Sequence, residues 1–272
     1  MRKKVEFLPR PGRIHFNACF LRYLRQTFKS PWTIVPILLE VPFMLLIISF
    51  VYEDSTFYEP WRHASSANCT VFLLPLASGL MALLGSYREI CKERDILTRE
   101  VFGGLNVISY LGAKISVLTL VGVIQSLLLV LGSLIFVDFN MDKPAADFFF
   151  YFLAIFLTNS SMAAIGLLVS ALLKKSESAI LPVLVIIVMQ VVFSGALIQF
   201  DPPVRLLTFI TPTMYGTSVI GSVMGLGEVF PVTDRVVYSY NIWLSMFILL
   251  LFCFVCYVLT AIKLKYDYRT KD

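Results

Sequence analysis

Six apolar runs dominate this chain, at about Thr33–Tyr52, Ala67–Tyr87, Val107–Val137, Phe148–Leu173, Ala179–Ile198 and Tyr240–Ile262. Each is long enough to cross a hydrocarbon core, which takes about 20 apolar residues in helix. The lysines and arginines take sides around these runs. With the N-terminus set inside, the inner stretches hold nineteen of them and the outer loops only four: Arg62, Lys143, Arg205 and Arg235. Positive charge stays on the cytoplasmic side of short loops. The expected fold is therefore all-α: a polytopic membrane protein of six transmembrane helices, N-in and C-in.

The acids sharpen this asymmetry. Nine fall in the outer loops and eight in the inner stretches, which leaves net −5 outside and +11 inside, with Glu40 alone in the first run. A basic inner face is drawn to anionic cytoplasmic lipid. The basic residues flank the spans and form no domain of their own, which argues against a nucleic-acid partner. The composition agrees: 58% of residues are hydrophobic and 15% charged, against about 25% charged in soluble domains. Arg2, Lys3 and Lys4 resemble the start of a signal peptide, but no apolar run follows before Thr33, so none is expected. The five cysteines are scattered and imply no disulfide framework. Cys253 and Cys256 have redox-pair spacing, but they lie inside an apolar run and read as packing residues.

Ahead of the first span, Arg13–Lys29 has helical periodicity. Phe16, Phe20, Leu24 and Phe28 share one face, with Arg22, Arg25, Gln26 and Lys29 opposite. Such a helix suits the membrane interface, or the side of a partner. The stretch 88–106 is charged and helix-prone up to Gly103-Gly104. The longest outer region, 199–239, is moderately apolar and holds four prolines. Within it Val204–Ile210 is too short to span and reads as a re-entrant or interfacial piece. The chain therefore divides into 1–32, an N-terminal segment with its amphipathic helix; 33–265, the six-span domain; and 266–272, a short tail.

Several chemistries are missing. No GxxxxGK[ST] phosphate loop occurs. The only histidines, His15 and His63, lack metal-ligand spacing, so no metal site is expected. No GxSxG occurs either, and no catalytic residues are assigned. An ion channel would need rings of charge or carbonyls in its pore. Glu40 is the one acid deep in a span, and it admits two readings. A carboxylate at that depth marks function by default, yet it can equally be a hydrogen-bonded structural acid. Gln125, Asn159 and Gln190 read as interhelical hydrogen-bonding residues.

Two groups of residues together resemble a known family. The first runs Glu93-Arg94-Asp95-Ile96-Leu97-Thr98-Arg99-Glu100, then Gly104, Ser109-Tyr110 and Lys114. It is similar to the first intracellular loop of G-subfamily (White-type) ABC exporters. The second is Phe193-Ser194-Gly195-Ala196-Leu197, followed by Pro212 and Tyr215-Gly216. It resembles that family's element at the outer end of span five. The order of spans and the amphipathic helix agree with it from about Arg13 to Lys265.

The resemblance carries expectations. It implies a type-2 ABC exporter permease, a stand-alone subunit that binds no cofactor and is served by a separate ABC ATPase carrying ATP and Mg. It implies a second copy of the permease or a related one, and a multi-pass place in the cell membrane, by its short outer loop a bacterial plasma membrane. Glu93, Arg94, Asp95, Arg99 and Glu100 would couple to the ATPase, with Arg22, Arg25 and Lys29 on the connecting helix beside them. The family's cavity maps to Ser78, Met81, Val188 and Val191, and its leucine plug to Ala196-Leu197, where the first leucine is lost. A lining without clustered charge implies an amphipathic or hydrophobic cargo, such as a lipid-like compound, drug or peptide, moved outward. The alternatives are a membrane enzyme or scaffold without an ATPase, or a small-solute channel.

Overall fold

The computed structural model describes residues 12–29, 31–53, 56–58, 63–139, 143–175, 177–194, 206–229, 238 and 241–268. Among them there is no strand. The helices are α1 (Gly12–Lys29), α2 (Pro31–Val51), α3 (Ala64–Ser86), α4 (Arg94–Phe102) and α5 (Val107–Phe136). After them come α6 (Pro144–Leu172), α7 (Ile180–Val192), α8 (Pro212–Val223), the single turn α9 (Leu226–Val229) and α10 (Ile242–Asp267).

Hydropathy accounts for the long elements. Four helical stretches, Ser65–Phe102, Val107–Phe136, Pro144–Leu172 and Ile242–Asp267, are long and apolar enough to cross a membrane. They answer to the second, third, fourth and sixth expected spans. Shorter apolar helices, Ile37–Val51 and Glu177–Val192, fall at the first and fifth. Local signals set the ends. The Asn106 side chain accepts from Ile108 N at 2.9 Å to cap α5, and Asn241 caps α10 in the same way through Trp243 N at 3.1 Å. Each such cap is worth about 1 kcal/mol. Pro144 and Pro212 stand at the first turns of α6 and α8, where the missing N–H costs nothing. Past α4 the chain turns through Gly104 at φ 93°, a conformation that side chains with a Cβ resist.

Helix α6 is the central post and packs against α3, α5, α8 and α10, while α7 touches α3, α6 and α8 only lightly. Within the 199–239 stretch the structure describes two short pieces. Leu206–Ile210 is a 3₁₀ turn with Leu207, Phe209 and Ile210 exposed; Val204 and Arg205 lie outside the described residues. The piece buried among the other helices is α8, where Pro212 through Gly221 are all buried. Its 12 residues rise about 18 Å, too short to span. It enters between α3 and α6 because Gly216 has no side chain. A Cβ there would lie 2.8 Å from Pro75 Cβ and within contact of Thr158 Oγ1. Its polar N-terminus is met by Gln190 of α7, whose Oε1 accepts from Thr213 N at 3.2 Å and Thr213 Oγ1 at 2.8 Å.

The charged elements gather at one end of the bundle. Helix α1 lies along the first turns of α5, with Ser109 Oγ donating to Gly12 O at 3.0 Å and Phe16 over Gly112. Phe16 and Phe20 stack at 6.0 Å, as the aromatic face predicts. The most buried positions of α1, however, are Cys19 and Tyr23.

Candidate functional site

The stretch from Glu89 through α4 is held by ligands from four helices. A short 3₁₀ turn, Cys91–Glu93, leads into α4. Ser170 Oγ of α6 accepts from Ile90 N at 2.9 Å and Cys91 N at 3.0 Å, which satisfies two backbone donors the helix cannot. Ile90 and Leu97 are fully buried against Tyr23, Tyr110, Leu167 and Leu264. That packing turns Glu93 inward.

Glu93 Oε2 accepts from Tyr23 O–H at 2.7 Å and Tyr110 O–H at 3.2 Å, and the Lys114 ammonium stands 3.0 Å away. Lys114 is itself 1% exposed at the side chain. It also donates to Glu89 Oε2 at 2.8 Å and to the Glu89 carbonyl at 2.6 Å. The ammonium thus makes two hydrogen bonds and a further ion pair, and its charge sits 4.3 Å over the Tyr23 ring, a favourable cation–π geometry. Burial raises the Glu89 carboxyl pKa, but Lys114 and Lys92 outweigh it and hold the group below its ordinary value. The Tyr23 phenol is pushed up, first by burial and then by its bond to Glu93, so it stays a donor.

The remaining candidates divide between locked and free. Arg22 of α1 forms a two-pronged pair with Glu100, including Nη2 to Oε2 at 3.1 Å. Arg94 donates to Ala171 O at 2.8 Å and pairs with Asp267 at 3.3 Å. The charged run therefore does not project whole as a solvated face. Glu93 is enclosed, and Arg94 and Glu100 are tied to other helices. Asp95 and Arg99 are free on the surface, as are Arg25 and Lys29 of α1. Beside Asp95 and Arg99 the sequence reading missed two apolar residues, Ile96 at 54% exposed and Phe102 at 81%. Residues 95, 96, 99 and 102 share one face of α4 by helical spacing. Tyr23 and Glu89 were missed too, since their partners lie 70 and 25 residues away.

The proposed cavity residues do not share a surface on one chain. Ser78 is fully buried and donates to Ile155 O at 3.2 Å. Met81 is 1% exposed and turned into the bundle, on the wall of an internal cleft, whereas Val188 is 58% exposed on the open face of α7 and Val191 is half-buried. Ala196 and Leu197 lie outside the described residues. Glu40 is half-buried and accepts from Gln125 Nε2 at 3.1 Å. Among the described residues no group of three or more His, Cys, Asp or Glu could hold a metal. Cys253 and Cys256 are free and buried, consistent with packing.

An all-helical bundle with long apolar helices, carrying a short charged helix on its basic end, defines the chain as a multi-pass membrane protein. Residues 14–224 match the ABC-2 type transporter family, and the chain belongs to it. It is also 30% identical over 168 residues to the ABC transporter ATP-binding/permease protein Rv1747 of Mycobacterium tuberculosis (strain ATCC 25618 / H37Rv). That match takes in 58% of this chain and 19% of the relative, so the chain spans about a fifth of that protein's length.

Proposed function

We propose that this chain is the permease subunit of an ATP-driven exporter in a bacterial plasma membrane. It would span the membrane six times, N-in and C-in, and pair with a second permease copy. ATP and Mg would bind to a separate ABC ATPase, and the cargo would be an amphipathic or hydrophobic compound moved outward. The observation that carries this reading is the two-faced α4. One face is fixed to α1, α5, α6 and α10 by buried ions and Leu97. The other presents Asp95, Ile96, Arg99 and Phe102, apolar groups rimmed by charge at the basic end. Two exposed apolar side chains ringed by charge suit a protein contact, and a rigid mount would pass a partner's movement into the spans. The relative's own name joins an ATP-binding and a permease function, which supports the pairing.

The test is copurification from native membranes. A Walker-type ATPase should come with the wild-type chain, while Phe102→Ala and Arg99→Glu should reduce its recovery or uncouple its ATP hydrolysis from transport. Recovery of the chain with no ATPase, or both variants matching wild type in assembly and hydrolysis, would overturn the reading.

A further inference from the structure

A cleft of about 550 Å³ runs into the protein between α1, α2, α3, α5 and α6, a volume typical of small-molecule sites. One end is lined by Arg88, Lys92 and Gln26 at the basic end of the bundle. The other is lined by Glu40, Gln125 and Asn159, and Met81, Val117 and Val121 line the cleft as well. Lys114 and Gln125 stand 11 residues apart on α5, a rise of about 16 Å. The cleft is therefore elongated, with an apolar waist and a polar floor.

The floor offers more acceptors than donors. Gln125 donates its Nε2 to Glu40 Oε2 at 3.1 Å, and Asn159 donates its Nδ2 to the Ser78 carbonyl at 3.1 Å. Each amide thus gives one N–H of its NH₂ to an oxygen and keeps its own oxygen for another partner. The Asn159 oxygen lies against Gly122, where a Cβ would collide with it. Gly122 stands one turn before Gln125, on the same face of α5. The second Glu40 oxygen, the Gln125 oxygen and the Asn159 oxygen therefore remain as acceptors on the lining of one end of the cleft. Gln125 and Asn159 are 3% and 2% exposed. Among the described residues no Lys, Arg or His pairs with Glu40. The buried cation of the same cleft, Lys114, is already engaged by two hydrogen bonds to Glu89 and an ion pair with Glu93.

We propose that this cleft binds an amine-bearing amphiphile, with its ammonium on Glu40, Gln125 and Asn159 and its apolar body along Met81, Val117 and Val121. An ammonium brings three donors and one positive charge, which matches two neutral acceptors and a carboxylate. A bare metal ion would leave the apolar waist unused. An anionic amphiphile would place its charge beside Glu40, and a neutral alcohol would leave the carboxylate without a counter-charge in a setting where an unpaired charge is costly. Exposed Leu84 and Gly85 at the cleft's edge let a tail enter from the lipid. The site stands on this chain alone, independent of which cargo the assembled transporter moves.

The experiment measures labelled dodecylamine binding to the purified protein in nanodiscs at neutral pH, with empty nanodiscs subtracted. Saturable binding is expected, with dodecanol and dodecanoate competing at least tenfold more weakly. Glu40→Gln should weaken amine binding at least tenfold and leave dodecanol unchanged. Val121→Phe should fill the waist and abolish binding. Should E40Q not fold, the competition order and V121F decide the matter. Equal competition by dodecanol or dodecanoate, unchanged binding in either folded variant, or displacement by sodium chloride but not by choline chloride at equal ionic strength would each overturn the proposal. The last of these results would mark a bare-cation site.

Discussion

Replacing Lys114 with Met removes one charge from a place the structure makes expensive to disturb. Methionine keeps the stem and loses the ammonium. Three contacts vanish together: to the Glu89 carbonyl at 2.6 Å, to Glu89 Oε2 at 2.8 Å and to Glu93 Oε2 at 3.0 Å. Glu89 retains Lys92. Glu93 retains only the Tyr23 and Tyr110 hydroxyls and becomes a buried carboxylate without a cation. Breaking such a pair from one side costs about 3–5 kcal/mol, and that is the expected loss for Lys114→Met. Glu93→Gln alone should cost less, because Lys114 keeps Glu89. In the double variant the stranded charge is gone, so Glu93→Gln should rescue Lys114→Met by about 1 kcal/mol or more. The assay is denaturant titration of purified protein in mixed micelles, followed by circular dichroism. A single variant within about 0.5 kcal/mol of wild type, or a double variant no more stable than Lys114→Met, would refute the reasoning. The wild type also carries a pH signature. The Glu89 pKa is depressed below 4.5 on folding, so its contribution is full above that value and is lost as pH falls through the folded pKa. Lys114→Met should flatten the acid limb of that curve.

Three further outcomes are expected. Gly216→Ala should destabilise the bundle by about 1–3 kcal/mol, the usual cost of overpacking, because its new Cβ meets the rigid Pro75 ring; a variant as stable as wild type in the same titration would mean that α8 can move aside. Arg22→Glu should loosen α1 from α4, and adding Glu100→Arg should restore it; protection of α1 from proteolysis reads this, and no recovery in the swap would show that the pair does not hold the two helices. On a cysteine-free background, an impermeant thiol reagent added to intact cells should label Asp138→Cys and spare Arg99→Cys, and the reverse pattern would invert the proposed orientation.

The long helices were legible in the sequence because hydropathy measures a side chain against lipid, and α3, α5, α6 and α10 are long enough for that signal to dominate. The same measure hid α8. Its residues include Thr213, Gly216, Thr217, Ser218 and Gly221, which read as loop. They are buried against protein, where the threonine hydroxyls find partners close by: Thr217 donates to Thr213 O at 2.8 Å and Thr213 to Gln190 Oε1 at 2.8 Å. The 88–106 stretch was recognised as special, but the sequence gives no sign of which charges face inward. Glu93 and Arg99 look alike in a charged run. They differ only because Tyr23, Tyr110 and Lys114 converge on the first, and that convergence is a property of how α1 and α5 pack. The polar floor of the cleft was half legible. Glu40, Gln125 and Asn159 stood out as polar residues in apolar runs, and only the packing of α2, α5 and α6 brings them together.

The ion cluster raises a question of purpose that its energy does not answer. Swapping buried ions for well-packed apolar groups is often neutral or stabilising, so Glu93 and Lys114 are not needed for stability alone. What they add is direction. An apolar contact between α4 and its mount tolerates sliding, whereas one carboxylate held by two phenols and an ammonium fixes a single register. A helix that must pass a push into the spans requires that register. Replacing the set together, as Tyr23→Phe, Tyr110→Phe, Glu93→Leu and Lys114→Met, leaves no stranded partner on Glu93. Stability should then stay within about 2 kcal/mol of wild type, inside the range seen for such swaps. The orientation of α4 should broaden, read as a wider distance distribution between spin labels at Arg99 and at Arg25 on α1. If the apolar variant is as stable as wild type and its distance distribution is equally narrow, packing alone sets the register and the buried ions serve some other end.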